Sequence, residues 1–164
     1  MKRLILMRHA KSDWAGDLPD IERGLNARGT RSAEAIGDWM RSENVLPDSV
    51  LCSAATRTQE TLAGLKLSED TAVTVTRELY LADPEEMLAI LRTANADTVL
   101  MLGHNPGSAM LASDLVAAPP AHADFHRFPT CATLVADFTI NDWSQLRIGT
   151  GTVRHFVVPR EIMK

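Results

Sequence analysis

The residues of this chain that could do chemistry stand just past short apolar runs. Arg8-His9 follows Leu4-Ile5-Leu6-Met7, and Ser53 closes Val50-Leu51-Cys52 with Arg57 one helical turn later. Arg77-Glu78 comes soon after the β-rich residues 72–75, and His104-Asn105 follows residues 98–102. Each type has a task if the ligand carries a phosphoryl group. Arginine is permanently charged, and its planar fork matches phosphate oxygens. A neutral imidazole can attack phosphorus and form a covalent intermediate, dividing one difficult displacement into two. A second imidazole can stabilise charge on the transferring group. A carboxyl group can protonate the leaving atom and then activate water.

These side chains meet only if the runs before them are neighbouring strands of one sheet. Continuous apolar runs at 4–7, 49–53 and 98–102, with the β-rich 72–75, are what strands covered on both faces show. Helices are expected between them. Residues 30–41 carry Ala33, Ile36, Gly37 and Met40 at three-to-four spacing, and 56–65 is also helical. Asp83-Pro84-Glu85-Glu86 supplies a cap, a first-turn proline and first-turn acids. A further helix runs from Pro106 to about Val116. The alternation predicts an α/β three-layer sandwich with a mostly parallel central sheet and helices on both faces. Residues 131–138 and 145–158, around the Asn141-Asp142 turn, are expected to form its antiparallel edge. In such sheets ligands bind beyond the carboxyl ends of the strands. There the helix opened by Pro106 would aim free N–H groups at an anion. Residues 10–29 and 117–129 read as loops, the second on the surface.

Composition narrows the classes. At 164 residues, one domain spanning 1–164 is expected, with 45% hydrophobic and 23% charged residues and neither repeat nor linker. A net charge of −4 gives no support for a nucleic-acid or membrane-surface binder. Two cysteines are too few for a disulfide scaffold. The apolar run at 4–7 is too short for a signal-peptide core, and nothing reaches the ~18 residues of a membrane span. A cytoplasmic domain is the expectation.

Leu6-Met7-Arg8-His9-Ala10 resembles the signature of the histidine phosphatase superfamily, which contains the cofactor-dependent phosphoglycerate mutases and acid phosphatases. Ser53-Ala54-Ala55-Thr56-Arg57-Thr58-Gln59-Glu60-Thr61 is similar to its second-arginine segment. Gly103-His104-Asn105-Pro106 is similar to its second-histidine segment, and Leu25-Asn26-Ala27-Arg28-Gly29 to one of its loops. The start Arg8-His9-Ala10-Lys11-Ser12-Asp13-Trp14 and the Gly-His-Asn-Pro element look most like SixA-type phosphohistidine phosphatases. The resemblance implies a phosphoglycerate mutase-like fold, His9 as nucleophile, Arg8 and Arg57 as phosphate clamps, His104 as the second pocket histidine and Glu78 as proton donor. Ser12 and Asn105 join Arg8 and Arg57 as substrate-binding residues. Ala15 stands where mutases carry Asn. Only about two dozen residues separate Glu78 from His104, leaving no room for the mutase lid. The function so implied is a phosphatase working through phosphohistidine at His9, without metal or organic cofactor, on a phosphohistidine-bearing protein. The alternatives are a small-molecule phosphomonoesterase and a non-catalytic phosphate-binding domain; neither nucleic acid nor membrane is an expected partner.

Other features read more plainly. His122 and His126 have the i, i+4 spacing of a metal pair but lie in a Pro-rich loop without a third ligand. Gly149-Thr150-Gly151-Thr152 lacks the lysine of a nucleotide-binding loop and reads as a strand bend. Cys52 reads as a packed core thiol. Lys11, Arg23 and Arg28 form a candidate basic rim for an acidic partner.

Overall fold

The protein is described by a computed structural model covering residues 1–14 and 16–163; Ala15, singled out above, and Lys164 lie outside the described residues. Strands β1 (Lys2–Arg8), β2 (Ser49–Ser53), β3 (Ala72–Thr76), β4 (Thr98–Gly103), β5 (Thr133–Phe138) and β6 (Thr152–Val157) form one sheet in the order β3-β2-β4-β1-β5-β6. The first four are mutually parallel. β5 is antiparallel to both of its neighbours. The expected α/β sandwich is present, mostly parallel with antiparallel pairing at one edge.

The layers follow from the alternation of side chains along each strand. In β1, Ile5 and Met7 join Val50, Leu100 and Leu102 under helices α1 (Ala27–Ser42) and α2 (Thr56–Leu65), where Ala33, Ile36 and Leu65 pack. Leu4 and Leu6 face the other way, joining Met101, Met87, Leu91 and Leu111 beneath α3 (Pro84–Leu91) and α4 (Gly107–Leu115). Because β1 is covered on both faces, its sequence is apolar at every inner position. A short α5 (Pro159–Ile162) lies against α1. No helix among the described residues is long and apolar enough to cross a membrane.

This layering places the crevice. β1 and β4 are neighbours, yet the helices that follow them, α1 and α4, lie on opposite faces. That is the switch point at which open α/β sheets bind ligands. In register, Arg8 pairs with Gly103, so His9 and His104 emerge side by side at the carboxyl edge.

Three expectations need correction. α1 begins at Ala27 rather than residue 30, because the Asn26 side chain caps it by accepting the Gly29 N–H at 2.8 Å. β6 begins at Thr152 rather than 145. Asp142 caps a 3-10 turn, Trp143–Gln145, and Trp143 is buried there with its indole N–H donating to the Ala96 carbonyl. Residues 117–129 are irregular but not wholly superficial: Phe125 and Phe128 are fully buried and extend the core.

Candidate active site

Backbone contacts hold the first motif beneath the start of α1. The His9 N–H donates to the Gly103 carbonyl at 3.1 Å, and the Asn26 N–H to the Lys11 carbonyl at 3.0 Å. Gly29 allows this approach: a Cβ there would stand 2.1 Å from the Lys11 oxygen. Ser53 at the end of β2 and Arg57 in the first turn of α2 complete the edge. The result is a cavity of about 460 Å³ whose walls include Arg8, His9, Asp20, Arg23, Arg57 and His104.

His9 is 6% exposed. Its Nδ1 lies 2.7 Å from the Ala10 carbonyl, which can only accept, so Nδ1 carries the proton and Nε2 keeps its lone pair. Burial, with Arg8, Arg57 and Arg23 nearby, lowers its pKa to about 4 despite the Ala10 bond. His104 is lowered to about 3, first by burial and then by His9 and Arg57. Both rings are therefore neutral at pH 7, with centroids 5.4 Å apart. His104 Nε2 lies 2.7 Å from Ser53 Oγ, while its Nδ1 is buried without a partner. A Ser53 hydroxyl donating to Nε2 leaves an N–H on Nδ1 for a ligand oxygen.

The arginines are also incompletely satisfied. Arg8 donates to the Phe128 carbonyl at 3.3 Å, and Arg57 to the Asp20 carbonyl at 2.8 Å and Asp20 Oδ2 at 3.0 Å. The Nε of each is buried and unpartnered. Buried N–H donors without acceptors are costly, and a multi-oxygen anion would satisfy several together.

Asp20, which motif reasoning did not select, is the carboxylate of the cavity wall. It accepts from Arg57, from Arg23 at 3.0 Å and from the Tyr80 hydroxyl, which with the arginines holds its pKa at about 2 against burial. The Tyr80 ring also stands edge-on to His104 at 5.5 Å. Nothing local marks Asp20 among the acids of residues 10–29, because the partners that bring it to the cavity, Arg57 and Tyr80, are remote in sequence.

Residues 4–80 match the sequence model of the histidine phosphatase superfamily (branch 1). An uncharacterized protein of Mycobacterium tuberculosis is 33% identical over 161 residues, covering 94% of this chain and all of that protein. The chain belongs to the histidine phosphatase superfamily. A Nakamurella multipartitia structure with the provisional name phosphohistidine phosphatase SixA is 31% identical at TM-score 0.79, covering 96% of this chain and 97% of that one. A structure from Agrobacterium tumefaciens with the same provisional name is 26% identical at TM-score 0.79, covering 96% and 98%. This histidine phosphatase is of the SixA type.

Within its cavity the phosphatase brings together Arg8, His9, Ser12, Arg57, His104 and Asn105. Ser12 Oγ accepts from Arg23 at 3.1 Å. Asn105 spends its side-chain N–H groups on the carbonyls of Arg127 and Phe128, so its side chain holds that segment. Glu78 is not brought in. It is exposed on the 3-10 turn Arg77–Leu79, whose buried residue is Leu79, and it does not line the cavity. The amino end of α4 is also outside the wall, and its Ser108 N–H is taken by the His104 carbonyl. Arg23 is no free rim cation: it pairs with Asp20 and stacks 3.6 Å from the centroid of the exposed Trp14 ring. His122 pairs with Glu161, and His126 lies 3.3 Å from Ser113 Oγ, so the two have separate partners. Cys52 is buried, its thiol pushed up to about 12. Gly149 turns the chain before β6 at φ +73°.

Proposed function

We propose that this phosphatase removes phosphoryl groups from phosphohistidine side chains of other proteins through a phosphohistidine formed on its own His9. The observation that carries the choice of substrate is the state of Asp20. It is the only carboxyl among the described residues lining the cavity, and at a pKa of about 2 it has no proton to give a leaving alkoxide. An imidazole leaves from phosphorus without so strong an acid, above all when its distal nitrogen is protonated and it departs neutral.

The steps follow from the tautomers. Neutral Nε2 of His9 attacks phosphorus as the substrate P–N bond breaks, and the electron pair leaves on the substrate imidazole nitrogen. Arg8, Arg57 and the Nδ1–H of His104 take the charge of the equatorial oxygens. Phosphorylated His9 keeps its Nδ1 proton on the Ala10 carbonyl, which fixes the ring and stabilises its positive charge. Water then attacks phosphorus, the P–Nε2 bond breaks with its electron pair returning to Nε2, and orthophosphate departs as the dihydrogen anion with both protons of the water, exchanging one with solvent.

The test is the dependence of rate on the leaving group. With no acid in the cavity, kcat/KM should be high for a phosphohistidine protein, intermediate for p-nitrophenyl phosphate and at least about 1,000-fold lower for alkyl phosphates. Equal rates on alkyl phosphates and phosphohistidine would replace this function with that of a small-molecule phosphomonoesterase.

A further inference from the structure

Next to the catalytic cavity lies a second one of about 150 Å³, with walls that include Lys11, Arg28, Arg127 and Arg160. The two are contiguous, since Lys11 and Thr130 line both. Asp124, the carboxylate of the second cavity, is 3% exposed and already engaged by Arg127 at 3.4 Å and by Arg160. Lys11 and Arg28 have no side-chain ion pair or hydrogen bond among the described residues. Four cations against one carboxylate leave three uncompensated positive charges in a concavity, on a chain whose net charge is −4.

The fold gathers these charges around one concavity. The close approach of Gly29 to Lys11 brings Arg28 up beside the catalytic loop. Asn105 anchors the segment bearing Arg127, and α5, bearing Arg160, lies against α1. The four cationic side chains are solvent-exposed, so their repulsion is screened, while their shared positive potential attracts an anion to the concavity.

We propose that this cavity is a second anion subsite, taking the carboxylates of an acidic segment that flanks the phosphohistidine of the substrate protein. The proposal rests on the phosphohistidine-protein function above. Shared walls set the reach: an extended chain spans about 3.3–3.6 Å per residue, so an acidic residue two or three positions from the phosphohistidine lies roughly 7–10 Å away.

The experiment uses synthetic peptides in two series, one phosphohistidine and one phosphotyrosine, each with glutamates or alanines at two and three positions on both sides. The wild-type protein at about 50 mM salt should favour the glutamate peptides by about tenfold in kcat/KM, mainly through KM, and lose most of that preference at about 500 mM. Arg28→Glu with Arg127→Glu should abolish or invert the preference while leaving p-nitrophenyl phosphate turnover within about twofold. Arg28→Gln with Arg127→Gln serves if the reversal unfolds the chain, and should abolish the preference without inverting it. Inorganic sulfate should compete with the glutamate flanks more than with the alanine flanks. Equal kcat/KM for the two flanks in both series, or a preference that survives the substitutions, overturns the subsite. A flank preference without favour for phosphohistidine over phosphotyrosine overturns the substrate assignment and leaves the subsite standing.

Discussion

Lowering the pH tests the buried histidines most sharply. Burial and three arginines hold His9 at about 4, against 6.5 for an exposed imidazole. At pH 5 an ordinary histidine would be neutral in only about 3% of molecules, whereas one at 4 is neutral in about 90%. The nucleophile is thus retained about 30-fold better at that pH than its residue type suggests. For stability the sign is fixed by linkage: the unfolded chain takes up protons first as pH falls below about 6.5, so the contribution of neutral His9 is present above that pH and drains away between 6.5 and 4. The total is about 3 kcal/mol for His9 alone, and His104 at about 3 deepens the loss. NMR titration of the five histidine rings reads these values directly, with His9→Ala for assignment. The kcat/KM profile, corrected for the substrate phosphate with its second pKa of about 6, should stay flat from pH 7 to 5. A His9 ring titrating near 6.5, or an enzyme-borne acid limb there, would refute the reasoning.

Ser53→Ala removes the group that orients His104; kcat should fall about 10- to 100-fold with little change in KM, and a change confined to KM would sink the tautomer assignment. Asp20→Asn removes the internal anion of Arg57, so inorganic phosphate should bind roughly three- to tenfold tighter by calorimetry; weaker binding would show that Asp20 positions Arg57 instead. Glu78→Gln should alter turnover of phosphohistidine protein and phosphate ester by less than about twofold, since the side chain stands outside the cavity; a large loss on the ester alone would restore it as proton donor. Gly29→Ala forces a Cβ against the Lys11 carbonyl and should cost about 2 kcal/mol, seen as a Tm lower by roughly 4–8 °C; an unchanged Tm would mean that the loop yields freely.

Much of this site was legible because its strands are buried on both faces. Leu4-Ile5-Leu6-Met7 and Thr98-Val99-Leu100-Met101-Leu102 must be apolar throughout, so their carboxyl ends, and with them Arg8-His9 and His104-Asn105, stand out as the first polar residues beyond. What lies between elements was harder to read. Asp20 reaches the cavity through bonds to Arg57 and Tyr80, 37 and 60 residues away, and no local pattern encodes them. Arg23 looked like a free cation although Asp20 stands only three residues before it, because residues 10–29 read as loop and no helical spacing marked the pair; the 3-10 turn Asp20–Glu22 brings the two together. The placement of Glu78 rested on resemblance, and the buried Leu79 turns it outward. Trp143 and Leu146 mimicked strand residues because a capped 3-10 turn can bury apolar groups as well as a strand does.

The central claim is a covalent phosphoryl group on His9. The protein is mixed with a 32P-labelled phosphohistidine protein, quenched in alkali within milliseconds, digested and mapped. Label that is stable to base and labile to acid, carried on the peptide containing His9 through Nε2 and absent from His9→Ala, is the predicted result. Full turnover by His9→Ala, or trapped label on any other residue, would contradict it.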